Sequence, residues 1–393
     1  MAWRAAPFAF LIFALAFAHV AGAEDVPPGA VVAALPFESS TEPNRIVVNL
    51  APEGSAPFAI ILDTGANTSV LTPLAARKLG VSVSRTKSDP YRRSTRLGTD
   101  LQFYVDTRQT DTGSKTGWEY GLLGGNFLHQ YVLDIDFGGR LVRFLDPARY
   151  AVAESGAAAE EAVLPLGVVA NRPSVEIRVN GHPVRVMVDT GSEVPLLLSG
   201  AAAQQAGIDV DALPAFGKAG SVLGPMEVRM LESADVELGP MRFSSVPVLV
   251  APRGWYNQAG ATDSAIGYDL LSRFHVRVDY ERARMWLHRE DAKVPFLGVD
   301  YAATKASGAL LCSAGHLRLG VLRVTPETPA AKLGLKPGDQ LMTENPDGGV
   351  RTPAQIIEAI RAGQRVRVAR EMNHIWVDLD LPDDPLLQSQ PGN

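Results

Sequence analysis

The chain has 393 residues, 46% hydrophobic and 20% charged, a composition that fills two or three cores of ordinary domain size and excludes disorder throughout. Its 37 basic residues stand against 43 acidic ones, a net charge of -6, so a nucleic-acid partner held by phosphate neutralisation has no electrostatic support. The single cysteine, Cys312, excludes an intrachain disulfide, a cysteine-rich zinc site and a lipid-attachment cysteine after an export signal.

Residues 1–23 read as an address, because Arg4 precedes an apolar run from Pro7 to Val20 and the small-residue site Ala21-Gly22-Ala23. Cleavage after Ala23 is expected, leaving no stable membrane span, since no other stretch approaches about 18 unbroken apolar residues. The expected location is therefore outside the cytoplasm, periplasmic or extracellular. Alanine-rich segments and 29 arginines against 8 lysines suit a GC-rich bacterium and hence the periplasm.

Two stretches, Arg45 to Gly80 and Pro173 to Gly207, follow one plan. Each runs as an alternating strand, a turn and a second apolar strand. In the second stretch the turn is Asn180-Gly181, a two-residue hairpin signal because both positions accept positive φ. Both return strands end in Asp-Thr-Gly, at Asp63-Thr64-Gly65 and Asp189-Thr190-Gly191, and both continue into an alanine-rich helix ending in glycine. Further on, the run from Tyr120 parallels the run from Ser264: apolar strand, glycine, one helical turn, hairpin. The predicted units are 24–150 and 163–290, joined by a small, acidic linker at 151–162. A third, α+β unit spans 295–382, and 383–393 is predicted to be a disordered tail.

An aspartate at the end of an apolar strand is costly unless its carboxylate has work or a partner. Two such turns in a duplicated frame predict a pair. If the units pack about a pseudo-two-fold axis, Asp63 and Asp189 meet, cannot both ionise cheaply, and share one proton. One then takes a proton from water while the other donates to a carbonyl. Gly65 and Gly191 permit close backbone approach, and the Thr64 and Thr190 hydroxyls can lock the turns together. Ser192 has a hydroxyl to offer Asp189 where Ala66 has none for Asp63, which predicts that Asp63 more often holds the proton. A third Asp-Thr-Gly, at Asp111, follows no apolar strand and reads as a turn.

The frames ILDTGANTSVL and MVDTGSEVPLL, with the downstream glycines Gly124 and Gly267, resemble retropepsin-type aspartic proteases over Arg45 to His288. The resemblance implies a mainly β fold: two retropepsin-like acid-protease β-barrel lobes of six to seven strands in one chain, one catalytic aspartate per lobe. It also implies an aspartic-type endopeptidase with polypeptide substrates and a glycine-bearing flap. The flap candidates are Gly217 and Gly220 in the second lobe and Gly98 in the first, where Arg85, Lys87, Arg92, Arg93 and Arg96 crowd together. Glu193 stands where the first copy has Asn67. The histidines are isolated, and no HExxH pair, Gly-x-Ser-x-Gly elbow or phosphate-cradling glycine loop occurs, so neither metal nor cofactor is expected. Trp118, Trp255, Trp286 and Trp376 read as core or edge aromatics.

The run from Val321 to Leu341 resembles the middle of a PDZ domain at Thr328-Pro329-Ala330, Gly334-Leu335 and Gly338-Asp339. That implies a PDZ-like α+β module whose groove takes an extended peptide, often a free C-terminus, by strand addition. Gly308, Ala309 and Leu310 are the candidate peptide-binding residues. Set against the protease reading is a catalytically inactive, peptide-binding scaffold in which the PDZ-like groove carries the function.

Overall fold

The structure, a computed structural model, describes residues 26–38, 45–82, 90–95, 97–106, 121–154, 160–192, 194–213, 215–221, 224–251, 262–289, 299–305, 317–324, 329–336, 339–342, 359–360, 363–372 and 375–381. The signal segment, Asp111, Arg85, Lys87, Arg96, Glu193, Trp118, Trp255, Gly308, Ala309, Leu310 and the tail lie outside the described residues.

The fold is mainly β. Local chemistry builds the two copies alike. Strand Phe58–Leu62 buries four of its five residues, and His182–Asp189 turns its last four inward. Each copy then enters a short helix through a hydroxyl cap that satisfies an otherwise orphaned N–H. Thr72 accepts from Ala75 N at 3.3 Å ahead of helix Pro73–Lys78, and Ser199 accepts from Ala202 N at 3.2 Å ahead of Gly200–Gln205. Asn180 and Gly181 have φ of 51° and 81° and close the predicted hairpin, with Val179 facing His182.

Three sheets result. The largest has 12 strands and begins with Glu161–Pro165, Arg284–Arg289, Phe274–Asp279, Val132–Asp136, Leu141–Leu145 and Val31–Glu38. It continues into the first copy through Val47–Leu50, Phe58–Leu62, Gly121–Leu123, Ser69–Leu71, Asp100–Val105 and Tyr91–Ser94. The second sheet, of eight strands, holds the rest of the second copy from Gly167–Val169 to Ala215–Ser221.

The hairpin predicted near the end of each copy is present at 132–145 and at 274–289, and the two pair with each other. Phe274–Asp279 runs antiparallel to Val132–Asp136, so six strands bridge the halves. Each hairpin's free edge is completed by its counterpart in the other copy. The inner face of this bridge carries Leu133, Ile135, Val276, Val278, Met285 and Leu287 into one core continuous through both halves. Its outer face packs Val132, Leu145 and Trp286 under Ala30, Tyr150 and Val152. The segment expected as a linker is thus anchored at both ends, by buried Val152 and by strand Glu161–Pro165 against His288–Arg284.

The C-terminal unit is an antiparallel five-stranded sheet in the order Val299–Lys305, Leu317–Val324, Gln340–Leu341, Val366–Met372, Ile375–Leu381. Asp339, of the predicted Gly-Asp corner, is buried and takes two hydrogen bonds from Arg370, both at 2.6 Å, and one from Lys336 N at 2.8 Å. Among the described residues no helix is long and apolar enough to cross a membrane.

Candidate active site

Each Asp-Thr-Gly turn is held by interleaved strands of its own half. Leu62 lies parallel to Leu123 while Val70 runs antiparallel to Leu122; in the second half Asp189 lies parallel to Gly267 and Leu196 antiparallel to Ile266. The two glycines that follow these inner strands have no room for a side chain. A Cβ on Gly124 would overlap the Thr68 carbonyl, and one on Gly267 the Val194 carbonyl oxygen.

The turns meet across the halves through reciprocal hydrogen bonds. Thr64 N donates to Thr190 Oγ1 and Thr190 N donates to Thr64 Oγ1, each at 3.1 Å. The two hydroxyls in turn donate to strand carbonyls of the opposite half, Thr64 Oγ1 to Val188 O at 2.6 Å and Thr190 Oγ1 to Leu62 O at 2.8 Å. Both threonines are buried, so losing either hydroxyl leaves buried groups unpaired. Above this lock Asp63 and Asp189 are hydrogen-bonded to one another. A Cβ on Gly65 would overlap the Asp189 carboxyl, and one on Gly191 the Asp63 carboxyl. The structure therefore brings Asp63, Thr64, Gly65, Asp189, Thr190 and Gly191 to one place.

Burial raises both carboxyls, and the Asp63 charge adds to the rise at Asp189, which lies well above the usual carboxylate range. Against burial, Asp63 is lowered first by Ala66 N, which donates to its Oδ1 at 2.9 Å, then by the Arg45 charge, the Asp189 hydrogen bond and the Gly65 backbone. Both carboxyls are thus held above the ordinary range, Asp189 further than Asp63. The larger rise at Asp189 runs against the expectation that Asp63 more often holds the proton. The Ser192 hydroxyl points toward Gly267, and the residue serves Asp189 through its backbone N–H, a donor that Ala66 supplies equally well.

Arg45 was not found by reading motifs, although a signal was present. Asn44-Arg45 and Asn171-Arg172 occupy matching places in the two copies. Val47 faces Ile61 and Ser174 faces Met187, so each arginine sits two residues before a position that pairs two residues ahead of its aspartate. Tyr280, buried near Asp63, was also missed; burial and the Asp63 charge push its phenol strongly upward.

The flap candidates divide. Gly217 and Gly220 lie in strand Ala215–Ser221, which pairs with Gly224–Leu238 as one arm of a long hairpin. Gly98, with φ of 80°, is not a flap glycine. Strand Asp100–Val105 runs parallel to Ser69–Leu71 just as Met241–Ala251 runs parallel to Leu196–Ser199. The turn at Gly98 thus matches the one at Gly239-Pro240, at the opposite end from the second-half flap. It is tied to the body by Tyr131, whose hydroxyl donates to Leu97 O at 3.2 Å. Arg93 donates to Leu79 O through Nε and Nη2, at 3.3 and 3.2 Å, and so closes a helix end instead of offering charge to a substrate. Among the described residues no group of three or more His, Cys, Asp or Glu could hold a metal.

Comparison with known proteins gives one match to a family model. Residues 175–270 match the family described as Aspartyl protease. That span contains Asp189, Thr190, Gly191, the long hairpin and Gly267, and it supports an aspartic protease. Solved structures that align with the chain include a retropepsin-like aspartic protease from Rickettsia conorii, at 21% identity over 33% of this chain and 90% of that one with a TM-score of 0.27. An aspartic proteinase from Irpex lacteus aligns at 12% identity over 67% and 99%, with a TM-score of 0.39. Basic 7S globulin from soybean aligns at 14% identity over 66% and 96%, with a TM-score of 0.37. Among curated proteins nothing matches.

Proposed function

We propose that the chain is a single-chain aspartic endopeptidase whose two halves act as retropepsin-like lobes, with Asp63 and Asp189 as its acid-base pair. The observation that carries this reading is the reciprocal threonine lock beneath two buried, mutually hydrogen-bonded carboxyls, each packed against the other half's glycine. Such an arrangement keeps one proton between two carboxyls at mildly acidic pH, which is the state that peptide hydrolysis by water needs.

Ionised Asp63 accepts a proton from a water molecule as the water oxygen bonds to the scissile carbonyl carbon. Protonated Asp189 gives its proton to the carbonyl oxygen, and a tetrahedral diol forms. In collapse, Asp63 passes its proton to the amide nitrogen, the C–N bond breaks, and Asp189 recovers a proton from a diol hydroxyl. The products are an acid and an amine, and the pair again holds one proton. The hairpin from Ala215 is suited to cover an extended polypeptide during these steps. Export to the periplasm or extracellular space and recruitment of substrate C-termini by the PDZ-like unit belong to the same proposal.

Digestion of a broad peptide mixture from pH 3 to 8, with cut sites read by mass spectrometry, tests it. Cleavage is expected from the unaltered protein and from neither Asp63→Asn nor Asp189→Asn. Absence of cleavage at every pH by the unaltered, folded protein would favour the non-catalytic scaffold.

A further inference from the structure

The bridge between the halves carries an ionic row that catalysis does not use. On its outer face Asp134 is fully buried and contacts three nitrogen groups: His275 Nε2 at 2.5 Å, Arg143 Nε at 2.6 Å and Arg277 Nε at 3.0 Å. Arg277, 1% exposed, lies over the Trp286 ring at 4.5 Å and donates to Tyr150 Oη at 2.8 Å. Asp134 belongs to the first half, and His275 and Arg277 to the second.

The position of this contact in the duplicated frame gives it meaning. The counterpart glycines Gly124 and Gly267 are 143 residues apart, and so are Asp134 and Arg277. The two are therefore the same position in the two copies. They are also direct partners in the antiparallel ladder, which puts the pseudo-two-fold axis through this pair. A residue on such an axis meets its own counterpart. Had the copies stayed identical there, like charges would have been buried face to face.

From this juxtaposition we infer that Asp134 and Arg277 make the interface selective for the unlike half. First half on first half would oppose Asp134 to Asp134, with only Arg143 left to each. Second half on second half would oppose Arg277 to Arg277, with His275 and Asp279 diagonal to each; Asp279 is already engaged by Val152 N and Arg282 and cannot take the place of Asp134 opposite Arg277. Burying an uncompensated charge is strongly unfavourable, so the unlike pairing is chosen. Two copies of this chain can then associate only by exchanging halves, and never like with like.

The test uses full-length chains and reads folded yield and sedimentation. Asp134→Arg and Arg277→Asp, each alone, should lose at least about tenfold in folded monomer. Both reversals in one chain should restore the monomer, because Arg143, at 23% exposure, can turn to solvent. Refolding the two single variants together should yield a 1:1 dimer in which each first half seats on the other chain's second half. A single reversal that folds as well as the unaltered chain overturns the inference. So does a double reversal no better than the singles, or a mixture of the singles that yields no dimer.

Discussion

The two halves share the turn and the strands and capped helix that hold it, and they differ in the intervals between these elements. Gly80 to Asp100 spans 20 positions in the first half, whereas the matching interval in the second, Gly207 to Met241, spans 34. The extra length builds the hairpin of Ala215–Ser221 and Gly224–Leu238. The first half supplies Arg45 and with it the side of the pair that ionises more readily. At the axis one half has an acid and the other a base. The two carboxyls and their lock are alike in both halves, while the charge beside the carboxyl, the length of the hairpin and the residue at the axis differ.

The largest expected effect removes the symmetric element. Asp63→Asn or Asp189→Asn should each cut peptidase activity by about 10²–10⁴-fold. The two should differ in stability: Asp189, raised furthest by burial and the Asp63 charge, opposes folding once ionised. Its replacement should raise Tm at neutral pH, with the gain vanishing as pH falls below the ordinary carboxylate range, where Asp189 is protonated in both folded and unfolded chains. Thermal melts of the two variants across pH check this.

Next in size is the lock. Thr64→Val and Thr190→Val should each cost about 1–3 kcal/mol, through the N–H and the carbonyl they leave buried without a partner. Denaturant titration should find the two costs alike, and a clearly larger loss on one side would show that the lock is not symmetric.

A buried acid sets the acid limit of the fold. Burial pushes Asp134 up, but the His275 hydrogen bond and charge, with Arg277 and Arg143, outweigh it and hold the carboxyl at about 2. A depressed carboxyl gives stability that is present above its ordinary value and lost as pH falls through the folded one. The contribution is about 2 kcal/mol, lost between about pH 4 and pH 2. Asp134→Asn should remove that acid-dependent part of the unfolding curve.

The smallest effect separates the two arginines. Arg45→Gln should move the acidic limb of the pH-rate profile upward, because Asp63 loses a neighbouring positive charge and ionises less readily. Arg172→Gln makes the matching change in the second copy and serves as the comparison.

What the sequence made legible was local. Asp-Thr-Gly after an apolar strand, Asn180-Gly181 as a hairpin and glycine after each inner strand all express backbone chemistry within a few residues. Strand Val31–Glu38 was not legible, because its exposed positions carry Val32, Ala34 and Pro36, so exposure alternates along it while hydrophobicity does not. Nor was the pairing of Phe274–Asp279 with Val132–Asp136, since each hairpin reads alike whether its edge meets its own lobe or the other. The same distance hid Arg45 from Asp63, and the backbone N–H groups of Ala66 and Ser192 serve their carboxyls alike, which no side-chain comparison of the two residues reveals. Gly98 misled because a positive-φ turn glycine looks the same at either end of a hairpin.

The most direct test of the shared proton is carboxyl titration by NMR on protein labelled with 13C at aspartate carboxyls, with Asp63→Asn and Asp189→Asn assigning the two signals. One proton held jointly well above the ordinary carboxylate range, and resting mainly on Asp189, is the predicted result. Two carboxyls that both ionise at ordinary aspartate values would contradict the account.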